Sequence, residues 1–257
     1  MSARKKMDVG LKSGLATRHG TNLKIKEVLC SPMSQAKRLK LIVFDMAGTT
    51  VDDVIDGVPL VLKSYDDAFR RYGVEVPKDV LNEQRGRDKW TVISELGGEK
   101  AGEIYSCFNS TLLGNTDKVN EVSGSSEVFR FLRGHGIKVA LNTGFPREVA
   151  EGIMEHLAWE REGLIDSWTC SEDVGKSRPD PAMIHALMAR LGVENPSTVM
   201  KIDDTALGLE EGLNAGAVTL GVLTGTQTRE RLLQAGPHDI IESVRSLPDY
   251  LKTMGYV

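Results

Sequence analysis

The sequence predicts an α/β protein: a doubly wound parallel sheet, with helices on both faces and a small helical cap inserted after the first strand. Three observations lead to this prediction. Residues 41–44 (LIVF) are four apolar residues in a row, which is typical of a buried parallel strand. Residues 58–113 have apolar residues at helical spacing and show no strand pattern. From residue 123 onward, apolar strand patterns alternate with helical ones.

The cap is predicted over residues 55–120, and the α/β core over residues 39–54 and 121–257. Gly73, Gly86 and the Gly97–Gly98 pair divide the cap into helices. The cap helices are predicted at 58–71, 77–85, 89–96 and 101–113. The later elements are predicted as helix 126–134, strand 137–142, helix 147–156, strand 164–169, helix 181–191, strand 198–202, helix 207–214, strand 218–222, helix 229–234, strand 239–241 and helix 246–251.

Composition indicates a soluble globular protein of the reducing cytoplasm. Hydrophobic residues make up 40% of the 257 residues and charged residues 26%. Cys30, Cys107 and Cys170 are widely spaced and form no C-x-x-C pair, which argues against a disulfide framework or a zinc site. No apolar run approaches the roughly 18 residues that a membrane span needs. We therefore expect no membrane partner.

Positive charge is concentrated at the start of the chain. Residues 1–40 contain ten lysines and arginines but only Asp8 and Glu27 as acids, so the rest of the chain is strongly acidic. Nothing beyond this tail predicts a nucleic-acid surface. The tail resembles an organellar transit peptide in composition, but it has no clear amphipathic helix. We expect residues 1–38 to be a disordered extension, or translation to start at Met33.

Polar side chains follow the predicted strands at four points. Asp45 ends the first strand, and Thr143 follows the strand at 137–142. Arg178 lies in a stretch held by two prolines, and Asp203 and Asp204 end the strand at 198–202. The carboxyl ends of parallel strands share one edge of a sheet, where ligands bind. A carboxylate nucleophile, a hydroxyl, a cation and a carboxylate for a divalent metal together favour in-line displacement at phosphorus.

These motifs resemble the haloacid dehalogenase (HAD) superfamily of aspartyl-nucleophile phosphohydrolases, which has a Rossmann-like core. The resemblance covers residues 40–252. The first motif of that superfamily is D-x-D-x-T, but here Ala47 replaces the second aspartate. D-x-A-G-T-T is typical of the phosphonoacetaldehyde hydrolase (phosphonatase) branch, as are Arg178 in the third motif and the segment 203–216. The resemblance implies a homodimer and a small phosphonate as substrate.

The resemblance also assigns roles to residues. Asp45 would be the nucleophile, and Mg²⁺ would be held by Asp45, the Ala47 carbonyl and Asp204. Arg178 and Thr143 would hold the phosphoryl oxygens. The remaining catalytic group would be a lysine in the cap that forms a Schiff base with the substrate aldehyde, and it matches Lys89.

The chemistry explains why an alanine is tolerated at position 47. A phosphatase expels an alkoxide and benefits from an acid. A Schiff base lets carbon depart as an enamine, so no oxygen needs a proton there. Lys89 must be partly neutral for this reaction, and burial, Arg85, Arg87 or the Trp90 ring would lower its pKa.

The chain departs from the phosphonatase pattern at several positions. Val92 replaces a histidine, Phe145 a tyrosine and Arg85 a methionine, which leaves the exact substrate open. Many HAD members carry a further acid at the position of Gly208.

Other interpretations stay open for single residues. Lys176 competes with Arg178 as the phosphate-binding cation. Thr143 and Asp203 could each serve as a helix cap, and Lys89 could be an ordinary solvated lysine.

Two other functions are also compatible with the sequence. One is a phosphate-ester phosphatase whose acid comes from elsewhere, and such an enzyme would not need Lys89. The other is a non-catalytic ligand-binding protein with the same fold, which would not need a nucleophile at Asp45.

Overall fold

A computed structural model of the chain describes residues 38–257. The predicted extension, with Met33, therefore lies outside the described residues except for Arg38. The strands are β1 (Leu41–Phe44), β2 (Val51–Asp52), β3 (Val54–Ile55), β4 (Val58–Pro59), β5 (Asn120–Glu121), β6 (Lys138–Thr143), β7 (Ser167–Cys170), β8 (Val199–Asp203), β9 (Val218–Val222) and β10 (Asp239–Ile241).

Within residues 38–257, six of these strands form one parallel sheet in the order β10-β9-β8-β1-β6-β7. The strand β1 lies near the middle, between β8 and β6, and is fully buried. Its side chains alternate between two hydrophobic clusters. Ile42 and Phe44 pack in one cluster, while Leu41 and Val43 pack in the other. Both faces of the sheet are thus covered, which confirms the predicted doubly wound α/β fold.

The helices agree with the predicted positions to within a few residues. They are α1 (Leu60–Arg71), α2 (Lys78–Glu83), α3 (Lys89–Gly97), α4 (Ala101–Leu113), α5 (Ser125–Gly134), α6 (Arg147–His156), α7 (Ser171–Val174), α8 (Ala182–Leu191), α9 (Ala206–Asn214), α10 (Arg229–Gln234) and α11 (Leu247–Thr253). The short helix α7 was not predicted. None of these helices has both the length and the apolar character that a membrane span requires.

The stretch before α1 contains two short strands, so the prediction of helices without strands in this region was wrong. A small hairpin pairs β3 with β4 in antiparallel register. Asp56 and Gly57 form its turn with φ angles of 53° and 77°. Positive φ at two successive residues matches the right-handed twist of a two-residue hairpin, for which Asp-Gly is a favoured pair. Helix α1 therefore starts at Leu60 rather than at Val58.

Helices α1 to α4, here called the cap, pack against one another within the same hydrophobic cluster that contains Ile42 and Phe44. Tyr65 of α1 packs on Phe108 of α4 with 4.5 Å between the ring centroids. The strands β2 and β5 pair just before and after this helical segment. Because residues 38–257 lie in one compact unit, the predicted division at residues 55 and 120 stays a prediction.

Candidate active site

Asp45 lies at the carboxyl edge of the sheet because β1 ends one residue before it. Its amide continues the ladder by donating to the Ile202 carbonyl at 2.9 Å. A hydrogen bond stabilises the loop that follows: Thr50 Oγ1 donates to the Asp45 carbonyl at 2.8 Å. Gly48 has a φ of 86°, and a Cβ there would lie 2.5 Å from Asp204 Oδ2. This turn therefore requires glycine both for its backbone and for the close carboxylate.

Three buried carboxylates meet at this edge. Phe44 and Ile202 are paired in register, so Asp45, which follows β1, lies beside Asp203, which ends β8, and Asp204, which follows it. One oxygen from each of Asp45, Asp203 and Asp204 lies within 4.8 Å of the other two. Burial raises the pKa of Asp204 to about 8. Burial also raises the pKa of Asp45, against the opposing effect of Arg178. Bringing like charges together in this way is costly without a cation.

A hard divalent cation fits two of the three carboxylates. Asp204 Oδ2 is buried without a hydrogen-bond partner, while Oδ1 accepts from Thr49 Oγ1 at 3.1 Å. Gly225 leaves room for the free oxygen, since a Cβ there would lie 1.8 Å from it. Carboxylate oxygens are the donors that magnesium, calcium and manganese prefer. Asp45 and Asp204, with the nearby Ala47 that lines the same pocket as Asp45, could hold such an ion.

Asp203 instead forms hydrogen bonds and an ion pair within the protein. Its Oδ1 accepts from the amide and hydroxyl of Thr205, at 2.9 and 2.6 Å. Its Oδ2 forms an ion pair with Lys201 Nζ at 2.8 Å, although the geometry is not that of a hydrogen bond. Burial alone would raise its pKa, but Lys201 and Arg178 hold that pKa below its ordinary value. Asp203 thus supports the start of α9 and stays charged.

Gly208 makes space for the Asp203 carboxylate. A Cβ at position 208 would lie 1.9 Å from Asp203 Oδ2 and 2.0 Å from its Cγ. The Asp203 carboxylate is buried, accepts from Thr205 through Oδ1 and pairs with Lys201 through Oδ2. The absence of an acid at this position therefore has a structural cause.

We expect Gly208→Ala to destabilise the protein by about 2–4 kcal/mol because the added methyl overlaps a fixed, buried carboxylate. The measurement is urea unfolding followed by circular dichroism. Gly102→Ala is the matched control, because Gly102 also lies in a helix and a Cβ there meets nothing within 4 Å. The control should gain about 0.5–1 kcal/mol. Equal stabilities for the two variants would contradict the proposed overlap.

Arg178 joins Asp45 to a buried network of charges. Its Nη1 lies 2.8 Å from Asp45 Oδ1. Its Nε donates to Glu211 at 2.9 Å, and its Nη2 donates to the carbonyl and side-chain oxygens of Asn142 at 2.9 Å. Burial lowers the pKa of Arg178, but the surrounding carboxylates raise it above its ordinary value. Lys176, the alternative cation, is exposed and does not line this pocket.

Sequence reasoning did not single out Asn142, Lys201 or Glu211. Lys201 Nζ donates to Asn142 Oδ1 at 2.6 Å, and Asn142 Nδ2 donates to both oxygens of Glu211 at 2.9 Å. All three residues are fully buried. The available signal was a lysine within an otherwise apolar predicted strand, because an unpaired charge there would be too costly.

Lys89 enters the same pocket from the cap. It is buried although it begins α3, and Nζ donates to the Arg87 carbonyl at 2.9 Å. Burial and the Arg85 guanidinium lower the pKa of Lys89 to about 8. Arg85 is buried and pairs with Asp53 at 3.3 Å. Arg87 instead pairs with Glu95 at the surface, so of the two arginines only Arg85 lines the pocket.

The pocket brings the predicted residues together. It is lined by Asp45, Ala47, Val61, Arg85, Gly86, Lys89, Thr143, Gly144, Phe145, Arg178 and Thr205. Thr143 Oγ1 accepts from the Phe145 amide at 3.0 Å, so this hydroxyl also holds the turn after β6. The pocket has a cavity volume of about 20 Å³, which is room for about one water molecule.

Comparison with known proteins places the chain in a family. A profile of haloacid dehalogenase-like hydrolases matches residues 39–216. The phosphonoacetaldehyde hydrolase of Bordetella pertussis is 32% identical, over 83% of this chain and 91% of that protein. This chain is a haloacid dehalogenase-like hydrolase.

Further relatives share the name or the fold. The phosphonoacetaldehyde hydrolase of Lactiplantibacillus plantarum is 27% identical, over 73% of this chain and 77% of that protein. A crystal structure of a phosphonoacetaldehyde hydrolase-like protein from Oleispira antarctica superposes with a TM-score of 0.74. It is 24% identical and covers 89% of this chain and 97% of that one. These matches confirm the predicted resemblance to the phosphonatase-like branch.

The departures from that branch of haloacid dehalogenase-like hydrolases have different consequences. Val92 is fully buried in the cap and does not line the pocket. Phe145 and Arg85 do line it. Among the residues that line this pocket within 38–257, none is a histidine. Beside Asp45, the chain thus has a phenyl ring without a hydroxyl at Phe145 and a cation at Arg85.

Proposed function

We propose that this hydrolase cleaves the carbon–phosphorus bond of phosphonoacetaldehyde or of a closely related 2-oxoalkylphosphonate. The observation that carries the proposal is that Lys89, buried and with a lowered pKa, opens into the same small pocket as Asp45. An amine that is partly neutral near pH 8 is suited to attack an aldehyde. The names of the relatives support the same substrate.

The first step would join Lys89 to the aldehyde. The neutral Nζ attacks the carbonyl carbon, and loss of water leaves a protonated imine. Lys89 sits at the N-terminus of α3, so its backbone is fixed while its side chain reaches the pocket. Closure of the cap over this small space would exclude bulk water, which otherwise reverses imine formation.

The second step would transfer the phosphoryl group to Asp45. A carboxylate oxygen attacks phosphorus, and the carbon–phosphorus bond breaks. Its electron pair moves onto the former aldehyde unit and forms an enamine, with the imine nitrogen as the acceptor. Arg178, which lies 2.8 Å from Asp45, would neutralise the phosphoryl oxygens together with the Thr143 hydroxyl. No acid is needed at Ala47 because the leaving group is carbon.

The last steps would release both products. Water hydrolyses the aspartyl phosphate to free phosphate, while the enamine takes up a proton and is hydrolysed to acetaldehyde and free Lys89. Bound Mg²⁺ would supply positive charge that reduces repulsion between the nucleophile and the phosphonate. Asp45, the Ala47 carbonyl and Asp204 would hold it.

An ester phosphatase is a weaker candidate. Such an enzyme needs an acid for the leaving oxygen. Among the described residues that line the pocket, Asp45 carries the only carboxyl group, and it is the nucleophile. A non-catalytic protein would not need to bury Lys89, Arg178 and Asp45 together, because each buried charge costs stability.

The test is to trap the imine. The protein is incubated with phosphonoacetaldehyde and Mg²⁺, reduced with borohydride, and digested for mass spectrometry. We expect an adduct on Lys89 and release of phosphate without borohydride. Phosphate release from simple esters that survives Lys89→Ala would instead support the ester phosphatase. Absence of turnover with either substrate class, together with unchanged ligand binding by Asp45→Asn, would support the non-catalytic alternative.

The reaction should depend on the protonation of Lys89. Below pH 8 the ammonium form dominates, so the trapping rate should rise about tenfold per pH unit and level off above a midpoint near pH 8. Arg85 and Arg178 lower this pKa, while Asp45 and Asp88 raise it. Arg85→Met should therefore move the midpoint upward.

The control for that shift is Arg85→Lys, which keeps a positive charge at the same place and should leave the midpoint within about half a pH unit. The readout is the initial rate of borohydride trapping between pH 6 and pH 10. A wild-type midpoint above about 10, the value of a free lysine, would contradict the role of burial.

A further inference from the structure

The loop that carries Lys89 is attached to the core by its neighbour Asp88. We propose that Asp88 is a positioning residue: its hydrogen bonds to Ser171 and Ser177 fix the start of α3 against the core and so place the Lys89 amine over the phosphoryl site. The inference rests on the proposed function, because it concerns where the reacting amine lies.

One oxygen of Asp88 serves the cap alone. Oδ1 accepts from the amide and from the hydroxyl of Thr91, each at 2.7 Å. This is a helix N-cap, and it stabilises the first turn of α3. A capping aspartate needs no more than this one oxygen.

The other groups of Asp88 bind the core. Oδ2 accepts from Ser171 Oγ at 2.9 Å, and the backbone amide donates to Ser177 Oγ at 2.8 Å. Ser171 begins α7 directly after β7, so it sits on the rigid edge of the sheet. Ser177 directly precedes Arg178. The hydrogen bond between Asp88 and Ser177 therefore links the immediate neighbours of Lys89 and Arg178.

The loop before Asp88 also touches the core, through the Arg85 side chain, which donates to Thr226 Oγ1 at 3.0 Å and pairs with Asp53, and through backbone. A Cβ at Gly144 would lie 2.5 Å from the Arg87 carbonyl, and a Cβ at Gly86 would lie 2.8 Å from Thr205 Oγ1. Lys89 Nζ donates to that same Arg87 carbonyl. Any shift of the loop on the core would therefore carry the amine with it.

The contacts of Asp88 thus have two separable effects. The Thr91 bonds order the helix, whereas the two serine bonds orient that helix on the core. If the serine bonds are lost, α3 stays folded but the amine samples more positions. A misplacement of about 1 Å costs about a hundredfold in rate.

The experiment compares Ser171→Ala/Ser177→Ala with Thr91→Val. The double variant removes both core partners and leaves the cap of α3 intact, while Thr91→Val removes one bond inside the cap. We expect the double variant to lose about 10- to 100-fold in kcat and in the rate of Lys89 trapping, with KM changed less than about threefold. Thr91→Val should retain both rates within about twofold.

Conservative replacement distinguishes positioning from a general loss of stability. Ser171→Ala/Ser177→Thr keeps a hydroxyl that accepts from the Asp88 amide, so it should retain more activity than the double alanine variant. A double variant with unchanged kcat would overturn the inference, and so would a Thr91→Val variant that loses as much as the double variant.

Failure of the proposed function would look different. In that case the wild-type protein itself forms no adduct with phosphonoacetaldehyde. Hydrogen exchange then tests the positioning alone: the Asp88 amide should exchange at least about tenfold faster in the double variant than in Thr91→Val, because it has lost its acceptor. Equal exchange at Asp88 would overturn the inference without any reference to the substrate.

Discussion

Lys89→Met is expected to abolish phosphonoacetaldehyde hydrolysis and at the same time to stabilise the protein. Activity should fall by at least about 10³-fold because methionine cannot form an imine. Burial lowers the pKa of Lys89 from 10.5 to about 8, so at pH 7 the folded protein pays for a buried ammonium. Removing that charge should raise the free energy of unfolding by about 3 kcal/mol, or about 6–12 °C in Tm.

The size of this gain depends on pH. Because the folded-state pKa lies below the unfolded one, the unfolded chain binds the proton more tightly, and wild-type stability rises between about pH 8 and pH 10.5. The advantage of Lys89→Met should therefore be complete at pH 7 and shrink above pH 8. Urea unfolding at pH 7 and pH 10 measures it.

Lys78→Met is the matched control for stability. Lys78 is also at the start of a cap helix, but its side chain is 75% exposed. Its replacement should change the free energy of unfolding by less than about 0.5 kcal/mol at either pH. If Lys89→Met destabilised the protein at pH 7, the buried ammonium would not be a cost, and the argument for a functional lysine would lose its main support.

Asp45→Asn is expected to separate the two halves of the reaction. Phosphate release should fall by about 10⁴-fold, because an amide is a far weaker nucleophile than a carboxylate. The adduct on Lys89 should still form, since imine chemistry needs the amine and the aldehyde only. The measurements are phosphate release over time and borohydride trapping on the same protein.

Asp56→Asn serves as the control for that variant. Asp56 is exposed in the turn between β3 and β4 with a φ of 53°, and asparagine tolerates this conformation. Activity should stay within about twofold. Phosphate release by Asp45→Asn within tenfold of the wild type would show that another group attacks phosphorus.

Much of the sheet could be predicted from local sequence. The run at 41–44 and the alternation after residue 123 predicted the buried strand β1 and its parallel neighbours, because burial on both faces demands apolar side chains at every position. The hairpin of β3 and β4 was missed because each strand has only two residues, too few for a periodic pattern. Its Asp-Gly turn was the available signal.

The candidate site was less accessible to sequence reasoning. Asp45, Thr143 and Arg178 could be proposed because each follows or adjoins a predicted element and together they resemble known motifs. The residues that hold these side chains in place could not be proposed from the sequence. Asn142, Lys201 and Glu211 lie on three different elements. Only the fold brings their polar atoms within 2.6 to 3.9 Å of one another.

By itself, the sequence determined the fold class, the aspartate at the end of β1 and the missing acid at Ala47, because these are properties of short stretches of chain. Only the tertiary structure decided which cations share the pocket and what each carboxylate does. Arg85 and Arg87 are two residues apart, yet one is buried beside Lys89 and the other pairs at the surface. Asp203 and Asp204 are adjacent, yet only Asp204 keeps an oxygen without a hydrogen bond or an ion pair. Charge and solvation depend on neighbours distant in sequence, and those neighbours exist only once the chain has folded.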